Sequence, residues 1–487
     1  MTLRLVPFAV ASALLLAGCS VGPDYVKPTA PTPAAYKESA PTADPGVWKA
    51  AAPGDAKLRA DWWAMFGDTE LNTLEQRLDG ENQDLKASEA RFREARVLIG
   101  VSQSALYPNV SLAPQIATLR DSKNQPYAPK IKTDGEFILP LDASYEIDLW
   151  GRIRRGVTVA REQAQVAAAD LQTASLALHA ELALDYIELR AADRQKQLLD
   201  NTVKAYEDAL ELTRNRANGG GAPESDVAEA QTQLDTARVQ DTDIAVQRAQ
   251  FEHAIAVLVG VAPSELKIDP APLNIDPPPL PLGLPSDLLQ RRPDIASAER
   301  RIAIANERIG IARAAYYPSV VLGGTGGFEG ETISNWLNWP SLFWAVGATM
   351  TETLFDGGRR DAVSEAARDE YDATVADYRQ TTLDAFQQVE DNIAALRILE
   401  TEEKQQDAAV ASAQNALHLF TDRYIGGADT YLQVITAQTA ALSNERNYVD
   451  ILRRRNVASI LLVKALGGGW SDAEMAKLAS DAGSAQK

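Results

Sequence analysis

Residues 216–231, RANGGGAPESDVAEAQ, lie on residues 423–438, RYIGGADTYLQVITAQ, without a gap. The shift is 207, and it sets Gly219 and Gly220 on Gly426 and Gly427, Val227 on Val434, and Ala230-Gln231 on Ala437-Gln438. It also carries Gly260, closing AVLVG, onto Gly467, closing VKALG. Earlier in each copy, ALYPNVSL at 105–112 meets AYYPSVVL at 315–322 at a shift of 210. A duplication of this size limits the fold more than composition does, because both copies must build one unit and the units must then fit each other. The chain divides into a leader at 1–18, an extended arm at 19–60, repeat 1 at 61–268, a Pro-rich linker at 269–285, repeat 2 at 286–468 and a C-terminal tail at 469–487. The linker, DPAPLNIDPPPLPLGLP, is expected to be extended, since proline cannot continue a helix and has no amide proton.

Each copy combines very long helices with a pair of strands. From Arg152 to about Asn218 there is no proline and one glycine, Gly156, while Ala, Leu, Gln, Glu and Arg dominate. At ~1.5 Å per residue such a helix reaches roughly 100 Å, far beyond what a globular domain needs. Gly219 to Gly221 end it, and Pro223 opens the returning helix where a missing amide proton costs nothing. Positions 227, 230, 234, 237, 241, 244, 248, 251, 255 and 258 of that helix read Val, Ala, Leu, Ala, Asp, Ile, Arg, Phe, Ile, Leu, and the same 3-4 spacing returns 207 residues later from Val434 to Ala465. Both stripes predict coiled-coil packing. An ordinary amphipathic bundle fits the stripe equally well but not the length.

The strand segments alternate. Phe137, Leu139, Leu141, Ala143, Tyr145, Ile147 and Leu149 are separated by residues that become increasingly acidic, ending in Glu146 and Asp148. In repeat 2, Leu342, Trp344, Val346, Ala348 and Met350 alternate with Phe343, Ala345, Gly347, Thr349 and Thr351. The expected strands are about 108–120 and 136–149 in repeat 1, and 318–330 and 342–355 in repeat 2, with Trp336, Trp339 and Trp344 clustered near the second loop. Such segments suit a transmembrane β-barrel, with a sandwich edge as the alternative. Four strands cannot close a barrel, and open edges cannot sit in lipid, so a barrel requires several copies.

Arg4, the apolar run Val6 to Ala17 and Leu16-Ala17-Gly18-Cys19 read as a secretory leader ending in a bacterial lipobox, with Cys19 acylated by diacylglycerol and an N-acyl chain. Ser20, where an inner-membrane lipoprotein of the enteric type carries Asp, favours the outer membrane. Cys19 is the only cysteine, which excludes disulfides and cysteine metal sites. With 67 acidic against 48 basic side chains and a net charge of −19, nucleic acid is not an expected partner.

VGPDYVKP after Cys19, the stretch 61–96, the paired Tyr-Pro motifs, LWGR at 149–152 with LFDGGR at 354–359, LLQRRPDI at 288–295 and RYIGGADTYLQ at 423–433 resemble the outer membrane factor family of TolC-like ducts. They resemble most closely its NodT-type lipoprotein branch. The resemblance covers nearly all of the chain beyond the leader. It implies a mainly helical fold with a transmembrane β-barrel: a homotrimer whose protomers give four strands each to one 12-stranded barrel, above a hollow α-barrel of helical hairpins. It further implies passive conduction in a tripartite efflux system with a periplasmic adaptor and an inner-membrane RND-type pump, anchored in outer membrane lipid. The gate then falls at the two Gly-bearing turns, around 216–227 and 423–437, with Gly219, Gly220, Gly426, Gly427 and Asp226 at the tip. Leu432 matches the leucine of an apolar ring. Gln433 and Thr436 stand where several relatives carry acids, and Asp429, with Asp226 and Glu224, is offered instead as a ring of carboxylates near the mouth. Such rings favour cations, although a solvated turn or helix cap explains each acid equally well.

Enzyme chemistry finds little support. His179, His253 and His418 lie in different helices without an HExxH pattern, GGTGG at 323–327 lacks the Lys-Ser/Thr of a P-loop, and Met65, Met350 and Met475 are scattered. No cofactor is expected beyond the lipid on Cys19. Two other functions remain open: a duct for type I protein secretion, since the fold does not choose the cargo, and a lipid-tethered periplasmic scaffold without a pore.

Overall fold

The computed structural model describes residues 21–39, 61–120, 122, 124, 133–278 and 288–469. The leader, Cys19 and most of the C-terminal tail lie outside them.

Repeat 1 builds helices α1 (Thr69–Glu81) and α2 (Gln83–Ser104), strands β1 (Asn109–Leu112), β2 (Gln115–Arg120) and β3 (Thr133–Ile147), then α3 (Arg152–Asn218) and α4 (Glu224–Leu258). Repeat 2 builds a single turn at Leu288–Arg291, then α5 (Pro293–Ala314), β4 (Ser319–Gly330), β5 (Leu342–Thr351), α6 (Arg359–Ile425) and α7 (Tyr431–Ala465). The duplication holds to the residue: α3 and α6 are 67 residues each and α4 and α7 35 each, with bounds 207 apart, while α2 and α5 have bounds 210 apart. Its punctuation is a set of glycines with positive φ. Gly151 and Gly358 precede the long helices, Gly220 and Gly427 make the tips, and Gly260 and Gly467 follow the returning helices, each pair 207 apart. A side chain at any of these would be strained in the left-handed region.

Gly260 and Gly467 have a second duty. A Cβ on Gly260 would collide with the Glu81 carbonyl, and one on Gly467 with that of Arg291. The residue after Glu81 and after Arg291 stands at the N-cap position of the following helix and bonds to the neighbouring helix end: Asn82 Nδ2 donates to the Leu258 carbonyl at 2.8 Å, and Arg292 Nη1 to the Ala465 carbonyl at 3.0 Å. One junction is thus made twice with different side chains.

All strands join one antiparallel sheet in the order β1-β3-β4-β5, with β2 also on β3. The expected strand at 108–120 is two pieces, β1 and β2, interrupted at Ala113-Pro114, where proline has no amide proton for the ladder. The other strands also differ at their ends from expectation, β3 covering 133–147 and β5 stopping at Thr351. Register decides the faces. Phe137, Leu139, Leu141, Ala143, Tyr145 and Ile147 stand opposite Gly330, Phe328, Gly326, Gly324, Leu322 and Val320. The latter five pair onward with Leu342, Trp344, Val346, Ala348 and Met350. On the other side Val110 and Leu112 meet Ala143 and Leu141, and Ile116 meets Phe137. Because pairing preserves the face, the apolar sets of both repeats share one side of the sheet. Asp142, Ser144, Thr325, Gly323, Ala345 and Gly347 share the other. Val346 and Trp344 are 80% and 75% exposed, an apolar surface with nothing over it in one copy. Trp336 packs on Phe137, ring centroids 5.7 Å apart, and donates to the Phe328 carbonyl.

Below the sheet the helices bury two main cores. One, around the waist, collects Trp62, Leu71, Leu78, Tyr186, Ile255 and Leu462. The other, near the far end of the hairpins, collects Tyr206, Leu210, Leu234, Tyr424, Tyr431 and Val434. The stripe expected on α4 and α7 is the packed one: Ala230, Leu234, Ala237, Ile244 and Leu258 are buried, as are Val434, Ala437, Ala441, Ile451 and Leu462. Among the described residues no helix is long and apolar enough to cross a membrane.

The described part of the arm lies along the helices and joins both repeats. Val21 N–H donates to the Trp150 carbonyl, Arg155 Nε to the Val21 carbonyl at 3.0 Å, and Asn306 Nδ2 to that of Pro23. Tyr25 donates to Glu299 at 2.8 Å, and further along the Lys37 and Glu38 amides donate to Glu390. Of the Pro-rich linker, residues up to 278 are described and carry no helix or strand.

Candidate functional site

The two hairpins end side by side in a matched pair of glycine turns. Gly221 N–H reaches back to the Arg216 carbonyl at 2.8 Å and Ala428 N–H to that of Arg423 at 2.8 Å, the six-residue closure of a Schellman motif with Gly220 and Gly427 left-handed. Gly219 and Gly426 cap the ends of α3 and α6. The four expected tip glycines are therefore where the repeat placed them.

What ties the turns together is Arg216, a residue that the sequence did not single out. Its Nη1 donates to the carbonyls of Tyr424 and, at 2.8 Å, Ile425 in the other hairpin, and its Nη2 reaches Gly221 of its own turn at 3.4 Å. The guanidinium also lies 4.4 Å above the Tyr424 ring. A cation on the last carbonyls of a helix answers both the unpaired oxygens and the negative end of the dipole. Tyr424 in turn packs on Tyr431, with ring centroids 5.2 Å apart. Burial pushes the Tyr431 phenol up to about 12, so it stays neutral near pH 7. Arg423, the counterpart of Arg216, does something else: its Nε donates to Asp429 at 2.5 Å within its own turn.

The carboxylate of Asp429, offered from the sequence as part of an acidic ring, is thus paired with a guanidinium of its own turn and does not stand alone. Asp226 sits half-buried in the first turn of α4, and Glu224 is exposed there. The first turn of a helix is a favourable place for acids in its own right.

Leu432 is 59% exposed although Tyr431 and Val434 beside it are buried. Gln433 and Thr436 are exposed too, and Thr436 Oγ1 donates to the Leu432 carbonyl at 2.9 Å. Leu432 and Thr436, four apart, share one side of α7, which its own protomer leaves uncovered. Of the histidines, His253 and His418 are exposed, while His179 is buried between helices. No group of three His, Cys, Asp or Glu among the described residues is arranged to hold a metal ion.

Known proteins resemble this chain over nearly its whole length. The sequence profile described as outer membrane efflux protein matches residues 74–261 and 284–468. The Pseudomonas putida toluene efflux pump outer membrane protein TtgF is 30% identical over 467 residues, covering 95% of this chain and 97% of that one. Outer membrane protein OprJ of Pseudomonas aeruginosa is likewise 30% identical over 467 residues, covering 95% and 96%. Among solved structures, the outer-membrane channel OprN superimposes with a TM-score of 0.86 at 27% identity, covering 93% of this chain and 100% of that one.

Proposed function

Because this chain belongs to the outer membrane efflux protein family, whose members are exit ducts in the outer membrane, we propose that three copies close into one pore and that the paired turns form its periplasmic gate. The observation that carries the pore is the register: apolar residues of both repeats lie on one face of a sheet whose outer strands, β1 with β2 and β5, have no further strand partner among the described residues. Backbone groups in lipid must all be paired. Joining β5 of one protomer to β1 and β2 of the next, three times, closes every edge, turns the apolar face to lipid and lines the lumen with Asp142, Ser144, Thr325 and Gly347.

At the other end, Leu432 from three copies forms the apolar constriction, with Gln433 and Thr436 beside it, and Arg216 holds the two turns of each protomer together in the closed form. Conduction is passive: the duct has only to open. An inner-membrane pump and a periplasmic adaptor supply the cargo and the force. A small organic cargo is the reading that the toluene pump relative favours. Cys19 carries the lipid; Val21, two residues on, is tied to Trp150 where the sheet passes into α3, and this suits a tether at the membrane surface.

A photo-crosslinking probe at Thr430, the residue before α7, tests this in cells. Capture of an adaptor belonging to a proton-driven pump supports small-molecule efflux, and capture of an adaptor of an ATP-driven exporter moves the cargo to polypeptides. Self-crosslinks alone would remove the tripartite assignment.

A further inference from the structure

His179 lies in the waist part of α3, its ring stacked on Trp63 with centroids 4.4 Å apart and planes at 19°. Both ring nitrogens meet a carboxylate of α1. Nδ1 is 2.6 Å from Glu75 Oε2, and Nε2 is 3.0 Å from Asp79 Oδ1. Glu75 is fully buried, and its second oxygen, Oε1, has no partner among the described residues. Asp79 is half exposed and borders a cleft that Asp61, Trp62 and the glycines 467–469 also line. No lysine or arginine lines that cleft among the described residues.

The geometry fixes how many protons the group must hold. A neutral imidazole has one N–H, so two contacts with carboxylate oxygens need a second proton, either on the ring or on Glu75. With it, the trio carries one negative charge. Without it, the charge is two, and one nitrogen lone pair faces a carboxylate oxygen. The charged groups that face the imidazole are Glu75 and Asp79 from α1 and Asp61 from the segment before it, all acidic, while the glycines beyond α7 bring none. Among the described residues that line the cleft, none offsets the second negative charge.

We propose that Glu75, His179 and Asp79 form a proton-dependent clasp that fastens α1 to α3 and loosens as the periplasm turns alkaline. Desolvation, the dominant effect, pushes the Glu75 carboxyl up to about 7 against the pull of His179. The sign follows from linkage. A carboxyl raised in the folded state contributes its full stabilisation below its ordinary value and loses it as pH rises through the raised one. The waist of the duct is then stiffer at mildly acid pH than at alkaline pH.

Hydrogen exchange on the full-length lipid-embedded protein, at pH 6.0 and 8.5 and corrected for intrinsic chemistry, reads the clasp directly. Protection of the α1 amides should fall about tenfold across that range, while those of α5 hold. Glu75→Gln, which cannot titrate, should abolish the difference. Asp79→Asn serves if that variant does not fold: its side chain is half exposed, and its amide can donate to Nε2, so the trio needs one proton fewer and the fall in α1 protection should shrink. Equal protection of α1 at both pH values in the unmodified protein, or an undiminished fall in Asp79→Asn, would overturn the proposal.

Discussion

The Arg216 guanidinium lies 4.4 Å over the ring of Tyr424, bonding one hairpin tip to the other, while the equivalent Arg423 stays on Asp429 inside its own turn. The two repeats share a backbone at this place but not a circuit. Only one of the two arginines can restrain the relative motion of the hairpins.

Arg216→Ala should therefore favour the open duct. Bonds from a charged donor are worth about 1.5–3 kcal/mol, and partial exposure lowers that to about 1 kcal/mol, roughly fivefold in the open-to-closed ratio per protomer. Single-channel recording in planar bilayers checks it, and the open probability of Arg423→Ala should change much less.

Opposite changes at the Arg423–Asp429 pair should have opposite effects on ion selectivity. Asp429→Ala leaves a cation at the mouth and should shift the reversal potential in a KCl gradient towards anions, whereas Arg423→Ala frees the carboxylate and should shift it towards cations. Identical shifts would mean that neither side chain reaches the ion path.

Leu432→Ala, with Asp429→Ala in the same chain, should raise the closed-state conductance measured in planar bilayers, because the apolar constriction loses its bulk. An unchanged value would take the gate away from this turn of α7.

Gly327→Ala and Gly323→Ala separate sheet assembly from composition. Both glycines lie on the polar face, but a Cβ at Gly327 would collide with the Leu139 carbonyl, and one at Gly323 meets nothing within 4 Å. The first should cost about 1–3 kcal/mol and lower the temperature at which the oligomer dissociates in detergent gels; the second should leave it unchanged.

Cys19→Ser should abolish metabolic labelling with palmitate while the protein still reaches the outer membrane fraction through its sheet. Persistent labelling would exclude Cys19 as the acylated residue.

The candidate site was partly legible in the sequence. Gly219, Gly220, Gly426 and Gly427 were found because the left-handed turn leaves a local mark, and the mark was repeated. Arg216 was missed although it stood in the same aligned block, since an arginine before a glycine turn looks the same whether it bonds its own helix or another. The pairing of Asp429 is not legible for the same reason: its partner, Arg423, is six residues away across the turn, and only the turn's shape brings them together. Among the strands, the alternation of 137–149 was plain, but the break at Pro114 was passed over in favour of one continuous strand.

The sequence alone determined the duplication, the lengths of the four long helices, their turns and the stripe that each returning helix buries, because these follow from periodicity, propensity and glycine, all local and all written twice. Only the tertiary structure decided that the apolar faces of both repeats coincide, that Arg216 crosses to Tyr424 while Arg423 does not, and that His179 lies between two carboxylates of α1. Each of these depends on the register between segments far apart in the chain, and a one-residue slip in a strand or a rotation of a helix would reverse it without altering any local pattern.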